Sequence, residues 1–116
     1  KGTGIAVAAL ELMQLRFGTR PDAVHAVIGP GIGSCCYNVP EERAAIFAQH
    51  GEAVVRRSEG AVYLDLKEAN KALLENAGVR TVSISSLCTS CSGFLGSYRR
   101  QGPQEFTRMV AVVGHF

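Results

Sequence analysis

Residues 28–40, IGPGIGSCCYNVP, constrain the fold of this 116-residue chain more than any other stretch, because three glycines, two prolines and two adjacent cysteines fall within thirteen positions. Glycine permits positive φ and close backbone approach, and proline suits the first turn of a helix, where its missing N–H needs no partner. The segment therefore reads as a tight connection from a strand into a helix. Residues 23–28 are the short apolar run that a buried strand would supply ahead of it. Behind it, Pro40, Glu41 and Glu42 suit the positive end of a helix that should stop at Gly51.

The same punctuation divides the rest of the chain. Thr3 can cap a first helix whose apolar positions Ile5, Ala8, Ala9, Leu12 and Leu15 recur at three and four, and Gly18 ends it. Residues 61–66 read as a strand leading into Asp65 and Glu68, spaced as a capping box, with the helix ending at Gly78. Residues 79–85 alternate as a strand does, and 109–113 read as a final strand. Strands and helices alternate without a regular βαβ repeat, which predicts an α+β fold: a layered sandwich of mixed β-sheets flanked by helices.

Composition narrows the function. Nearly half the residues are apolar and 19% are charged, as in an ordinary globular domain, and 116 residues can own one core. The apolar stretch 5–15 is too short to span a bilayer, so no membrane partner is expected, and the chain reads as cytoplasmic. A net charge of +2 with interspersed signs falls short of a nucleic-acid footprint, so no nucleic-acid partner is expected either. The chain opens at Lys1 inside the start of a helix, which reads as a piece of something longer.

Three stretches carry candidate chemistry. Gly29, Gly31 and Gly33 form a loop whose spacing matches neither the dinucleotide fingerprint nor the P-loop, but whose exposed N–H groups suit an anion. Cys35-Cys36 and Cys88-Thr89-Ser90-Cys91 invite a four-thiolate zinc site. Adjacent cysteines in an extended stretch point to opposite faces, however, so buried, inert thiols are the expectation, and no metal ligand is assigned in this chain. GSYRRQG at 96–102 places Arg99 and Arg100 beside Tyr98 and between glycines, offering planar, permanently charged donors for phosphate or carboxylate.

Lys1-Gly2, GPGIGSCCYNV at 29–39, Asp65-Leu66 with Asn70, Cys88-Thr89 and SYRRQG at 97–102, in this order, resemble the YfiH-like or laccase-domain proteins, described both as polyphenol oxidoreductases and as purine nucleoside phosphorylases. The resemblance covers residues 1–116 and matches the C-terminal half of such a domain. Two departures stand out: Phe106-Thr107-Arg108 replaces the usual Thr-Gly-Arg, and Phe94-Leu95-Gly96 precedes Ser97-Tyr98-Arg99-Arg100 where Phe-Phe is usual.

The resemblance implies an α+β sandwich and a zinc ion in the complete domain, held by two histidines and a cysteine from segments upstream of Lys1. It also implies a missing N-terminal half as partner, with purine nucleoside and phosphate as ligands. Phosphorolysis, with adenosine deaminase-type chemistry, is then the expected activity. The glycine loop becomes a wall of the active site, and Lys1, Arg99 and Arg100 become the contacts for phosphate or ribose. Copper-dependent phenol oxidation is the competing enzyme reading, yet a laccase needs several histidine-rich copper centres and this chain has three scattered histidines. A non-catalytic half-domain is the third reading.

Overall fold

A computed structural model describes residues 4–114, so Lys1, the Thr3 cap and residues 115–116 lie outside the described residues. Helix α1 spans Gly4–Phe17 and closes at Gly18, whose N–H bonds the Gln14 carbonyl at 3.0 Å. Strand β1 (His25–Ile28) feeds the glycine loop, and helix α2 (Glu41–Phe47) follows Pro40 before a short 3₁₀ turn and Gly51. Strands β2 (Val55–Ser58) and β3 (Ala61–Leu64) form a hairpin, followed by helix α3 (Leu66–Asn76), strand β4 (Thr81–Ile84) and the single-turn helix α4 (Tyr98–Gln101). β1 pairs in parallel with β4, Ala26 opposite Val82, while β2 and β3 pair antiparallel. The expected α+β fold with mixed pairing is the fold observed.

Helix α3 organises the packing. Asp65 caps it, its carboxylate accepting the Glu68 N–H at 3.0 Å, as the spacing Asp65–Glu68 predicts. Ala69 belongs to one core cluster with Val39, Ala44, Val54, Val62 and Leu64, whereas Leu74 belongs to a second with Leu10 and Val79. One amphipathic helix thus joins the hairpin and α2 to α1 and the parallel pair. Leu64 and Val54 are fully buried, and deleting buried side chains of this kind costs about 2–5 kcal/mol.

The structure departs from the sequence reading at four places. The face of α1 read from Ile5, Leu12 and Leu15 is exposed, and Val7 and Leu10 are the buried positions. The helix is apolar on every side, so periodicity could not single out one face. Strand β1 is only half covered, Val27 standing 74% exposed. Residues 109–113 form no strand, because a strand needs a neighbour to complete its ladder and none of the described residues pairs with them. Finally, β2 escaped the sequence reading. Its signal is the two-residue Glu59-Gly60 turn, both at positive φ (50° and 79°), which closes a tight hairpin.

Candidate functional site

β1 and β4 run side by side and end together at Ile28 and Ile84, and a crevice opens beyond their carboxyl ends, where parallel α/β pairs commonly receive ligands. The pairing continues into the loops: Gly31 bridges Cys88 in parallel, and Thr89 N–H bonds the Gly31 carbonyl at 3.2 Å. One compartment, about 680 Å³, is lined by residues 28–32, Leu66, Lys67, Asn70 and residues 109–111. A second, about 360 Å³, is bounded by Gly33, Cys35, Asp65, Lys67, Ser85 and Cys88 among others. Gly29, Gly31 and Gly33 therefore all face the crevice. None of the three has positive φ; at Gly33 the requirement is space, since a Cβ there would stand 3.3 Å from Cys35 Sγ and 3.5 Å from Cys88 Cβ.

Lys67 separates the two compartments and was missed in the sequence. Its side chain is buried, with Nζ donating to the carbonyls of Ser85 and Leu87, both at 2.9 Å. An ammonium has three donors, so one remains after these bonds. The legible signal was its place four and seven residues before Lys71 and Leu74, on a stripe of α3 that ends in the core. Asn70, one turn on, donates its Nδ2 to the Leu66 carbonyl at 2.9 Å, which leaves its amide oxygen as an acceptor.

The cysteines contradict the expectation of splayed, buried thiols. Residues 34–36 form a turn, with Cys36 and Tyr37 N–H both bonded to the Gly33 carbonyl at 3.0 Å, so strand alternation does not apply. Both thiols swing to one side and meet the turn at 88–92, closed by Ser92 N–H on the Cys88 carbonyl at 3.0 Å. Cys91 Sγ lies 3.3 Å from Cys35 Sγ and 3.4 Å from Cys36 Sγ, and all four sulfurs fall within 4.8 Å of one another. Only Cys88 is buried; Cys35 and Cys91 are exposed.

Burial pushes the Cys88 thiol up, but N–H groups from Gly33, Cys91 and Ser90 and the Cys35 thiol outweigh it and bring the group down to about 6. The Cys91 thiol foremost, then burial, push Cys35 up to about 12. The quartet thus concentrates thiolate character on the sulfur that backbone donors surround.

The two arginines part company. Arg100 donates Nη1 to the carbonyls of Thr89 (2.5 Å), Ser92 (2.9 Å) and Ser90 (3.3 Å), and Nη2 to that of Leu95. It clamps the turn that carries Cys88 and Cys91. Arg99 bonds the Asn38 carbonyl at 3.1 Å and lies over the Tyr37 ring, 4.9 Å from its centre. It therefore sits at the far end of the glycine loop, and neither arginine is among the residues lining the crevice. His25 bonds Ser83 and His50 packs on Phe47, away from the cysteines.

Residues 1–115 match the family described as multi-copper polyphenol oxidoreductase laccase. The chain belongs to this laccase family. Among its relatives, a purine nucleoside phosphorylase of Deinococcus radiodurans is 44% identical over 98% of the chain and 45% of its own length. Purine nucleoside phosphorylase YlmD of Geobacillus stearothermophilus is 35% identical over 96% of the chain and 43% of its own length. Two solved structures share the fold at 85% coverage of the chain: hypothetical protein YfiH of Bacillus licheniformis (39% identity, TM-score 0.69, 41% of that chain) and YlmD of G. stearothermophilus (34%, 0.72, 40%).

This laccase-family chain thus spans less than half the length of the relatives it matches. Among the described residues, no helix is long and apolar enough to cross a membrane. The cysteine quartet is the one group of metal-ligating side chains that the described residues bring together.

Proposed function

We propose that this chain forms the C-terminal half of a domain that cleaves purine nucleosides by phosphorolysis, and that the crevice beyond β1 and β4 receives the substrate. The observation that carries the reading is Lys67, a buried cation pinned by two carbonyls between a larger compartment with apolar walls and a smaller one lined mostly by polar side chains, Asp65 and Glu68 among them. A compartment of about 680 Å³ lies within the 300–1,000 Å³ range of small-molecule sites, and a nucleoside asks for such a mixture. Ile28 and Leu66 offer apolar contact to a base, and the amide oxygen of Asn70 can accept from a base N–H. The remaining donor of Lys67 meets an anion. The phosphorylase names of the two relatives support the same choice over phenol oxidation.

Within this reading Arg99 lies outside the crevice, held at the far end of the glycine loop by Asn38 and Tyr37. Arg100 orders the neighbouring turn instead. The zinc implied by the resemblance needs two histidines and a cysteine. Neither described histidine has a second metal-ligating side chain grouped with it, so the described histidines do not supply that ligand set.

The unpartnered apolar surface supports the half-domain part of the proposal. Ile5, Leu15 and Phe17 on α1 are each at least 80% exposed, and Val110 and Val113 are likewise bare, a pattern that a second half would cover. Turnover of a purine nucleoside by the complete protein, with and without inorganic phosphate, tests the activity. Free base and ribose 1-phosphate should form only when phosphate is supplied. Lys67→Met should raise the phosphate KM about 10- to 100-fold, the weight of a charged hydrogen bond. Base release without phosphate, or unchanged phosphate dependence in the variant, would refute the reading.

A further inference from the structure

We propose that Cys35, Cys36, Cys88 and Cys91 form a closed, all-thiolate site for one zinc ion, which ties the turn at 33–37 to the turn at 88–92 and so fixes the wall of the crevice. Its first support is geometric. Four sulfurs from two turns converge within 4.8 Å, two of the separations being 3.3 and 3.4 Å. A tetrahedral zinc with bonds of about 2.3 Å spaces its sulfurs about 3.8 Å apart, so ligation requires the sulfur separations to change by about 1 Å at most. Cys91 is nearly equidistant from Cys35 and Cys36, an arrangement that singles out no pair for a disulfide and serves all four ligands of one ion.

The surroundings of the sulfurs are those of a ligand set. Gly33 N–H points at Cys88 Sγ from 3.2 Å, the type of outer bond that orients a metal thiolate. Gly33 itself leaves room where any side chain would press on Cys35 and Cys88. Both turns are held from outside by cations: Arg56 bonds the Ser34 carbonyl at 2.8 Å, and Arg100 bonds the carbonyls of Thr89, Ser90 and Ser92. A zinc with four thiolates carries a net charge of about −2, and these two guanidinium groups stand beside the turns that bear it. Each thiol gives up its proton to solvent on ligation, and no oxidant or reductant takes part. Four protein ligands leave no open position, which makes the ion structural.

Cobalt titration of the complete protein, reduced and stripped of metal, tests the site, because tetrahedral cobalt with four thiolates absorbs strongly through sulfur-to-metal charge transfer. One equivalent should bind per chain with that spectrum, and zinc should displace it. X-ray absorption at the zinc edge should show a population with four sulfurs at about 2.3 Å. Cys91→Ser should weaken binding more than about 100-fold, beyond the 10- to 100-fold that loss of an outer partner costs. Cys91→His, which preserves ligation, should retain the ion with a shifted spectrum, so that loss of folding in the serine variant cannot imitate the result. A cobalt spectrum without thiolate charge transfer overturns the proposal. So does equal metal content in wild type and Cys91→Ser, or a native mass that shows Cys91 in a disulfide when purified without metal-stripping agents.

Discussion

At Gly96 the backbone runs so close to the Thr107 carbonyl that any Cβ would collide with it. The chain from 106 to 108 folds back over this point, and Gln101 receives the Thr107 N–H at 3.1 Å. Gly96→Ala should therefore destabilise the protein by about 1–3 kcal/mol, read as a lower midpoint in urea. The arginine pair teaches a second lesson at this scale. Sequence presents Arg99 and Arg100 as equals, but successive residues of a helical turn point about 100° apart, so one finds Asn38 and Tyr37 and the other the carbonyls of 89–95. Arg100→Lys, losing the fork that spans those carbonyls, should lower thermal stability with little change in phosphate KM, whereas Arg99→Lys, which gives up one carbonyl bond and the stacking on Tyr37, should change stability much less. A shared phenotype in both variants would contradict the separation. The cysteines were misread for a related reason: the alternation rule holds for strands, and residues 34–36 are a turn whose two thiols face the same way.

Among the elements, α3 was the most legible because its signals are local. An aspartate cap, a glutamate three residues on and a glycine past the end specify it without help from the rest of the chain. Asp65→Ala should remove that cap and cost about 1 kcal/mol, with a range of 0.5–2, measured by chemical denaturation. A cost near zero would mean that tertiary packing alone holds the helix. β4 was legible through alternation, Val82 and Ile84 turning inward. β2 and the supposed strand at 109–113 were not, since both depend on a partner: Val55 acquires one in Leu64 through the Glu59-Gly60 turn, and Met109 acquires none among the described residues. Lys67 shows the same limit. Its charge suggests solvent, and only the arrival of the Ser85 and Leu87 carbonyls from another element lets it lie buried.

For the molecule as a whole, two small sheets around α3 place the glycine loop, the cysteine turns and Lys67 at one end, and leave α1 bare along much of its length. The isolated 116-residue chain should self-associate through that surface, and Leu15→Lys with Phe17→Glu should increase the monomer fraction in sedimentation. A monomeric wild-type chain would count against a missing apolar partner. The central claim is that the crevice beyond β1 and β4 holds nucleoside and phosphate, and a structure of the complete protein with both ligands bound tests it most directly. The base should lie against Ile28 and Leu66, with a phosphate oxygen within hydrogen-bond reach of Lys67 Nζ. Ligands bound with the crevice empty and Lys67 untouched would contradict the account.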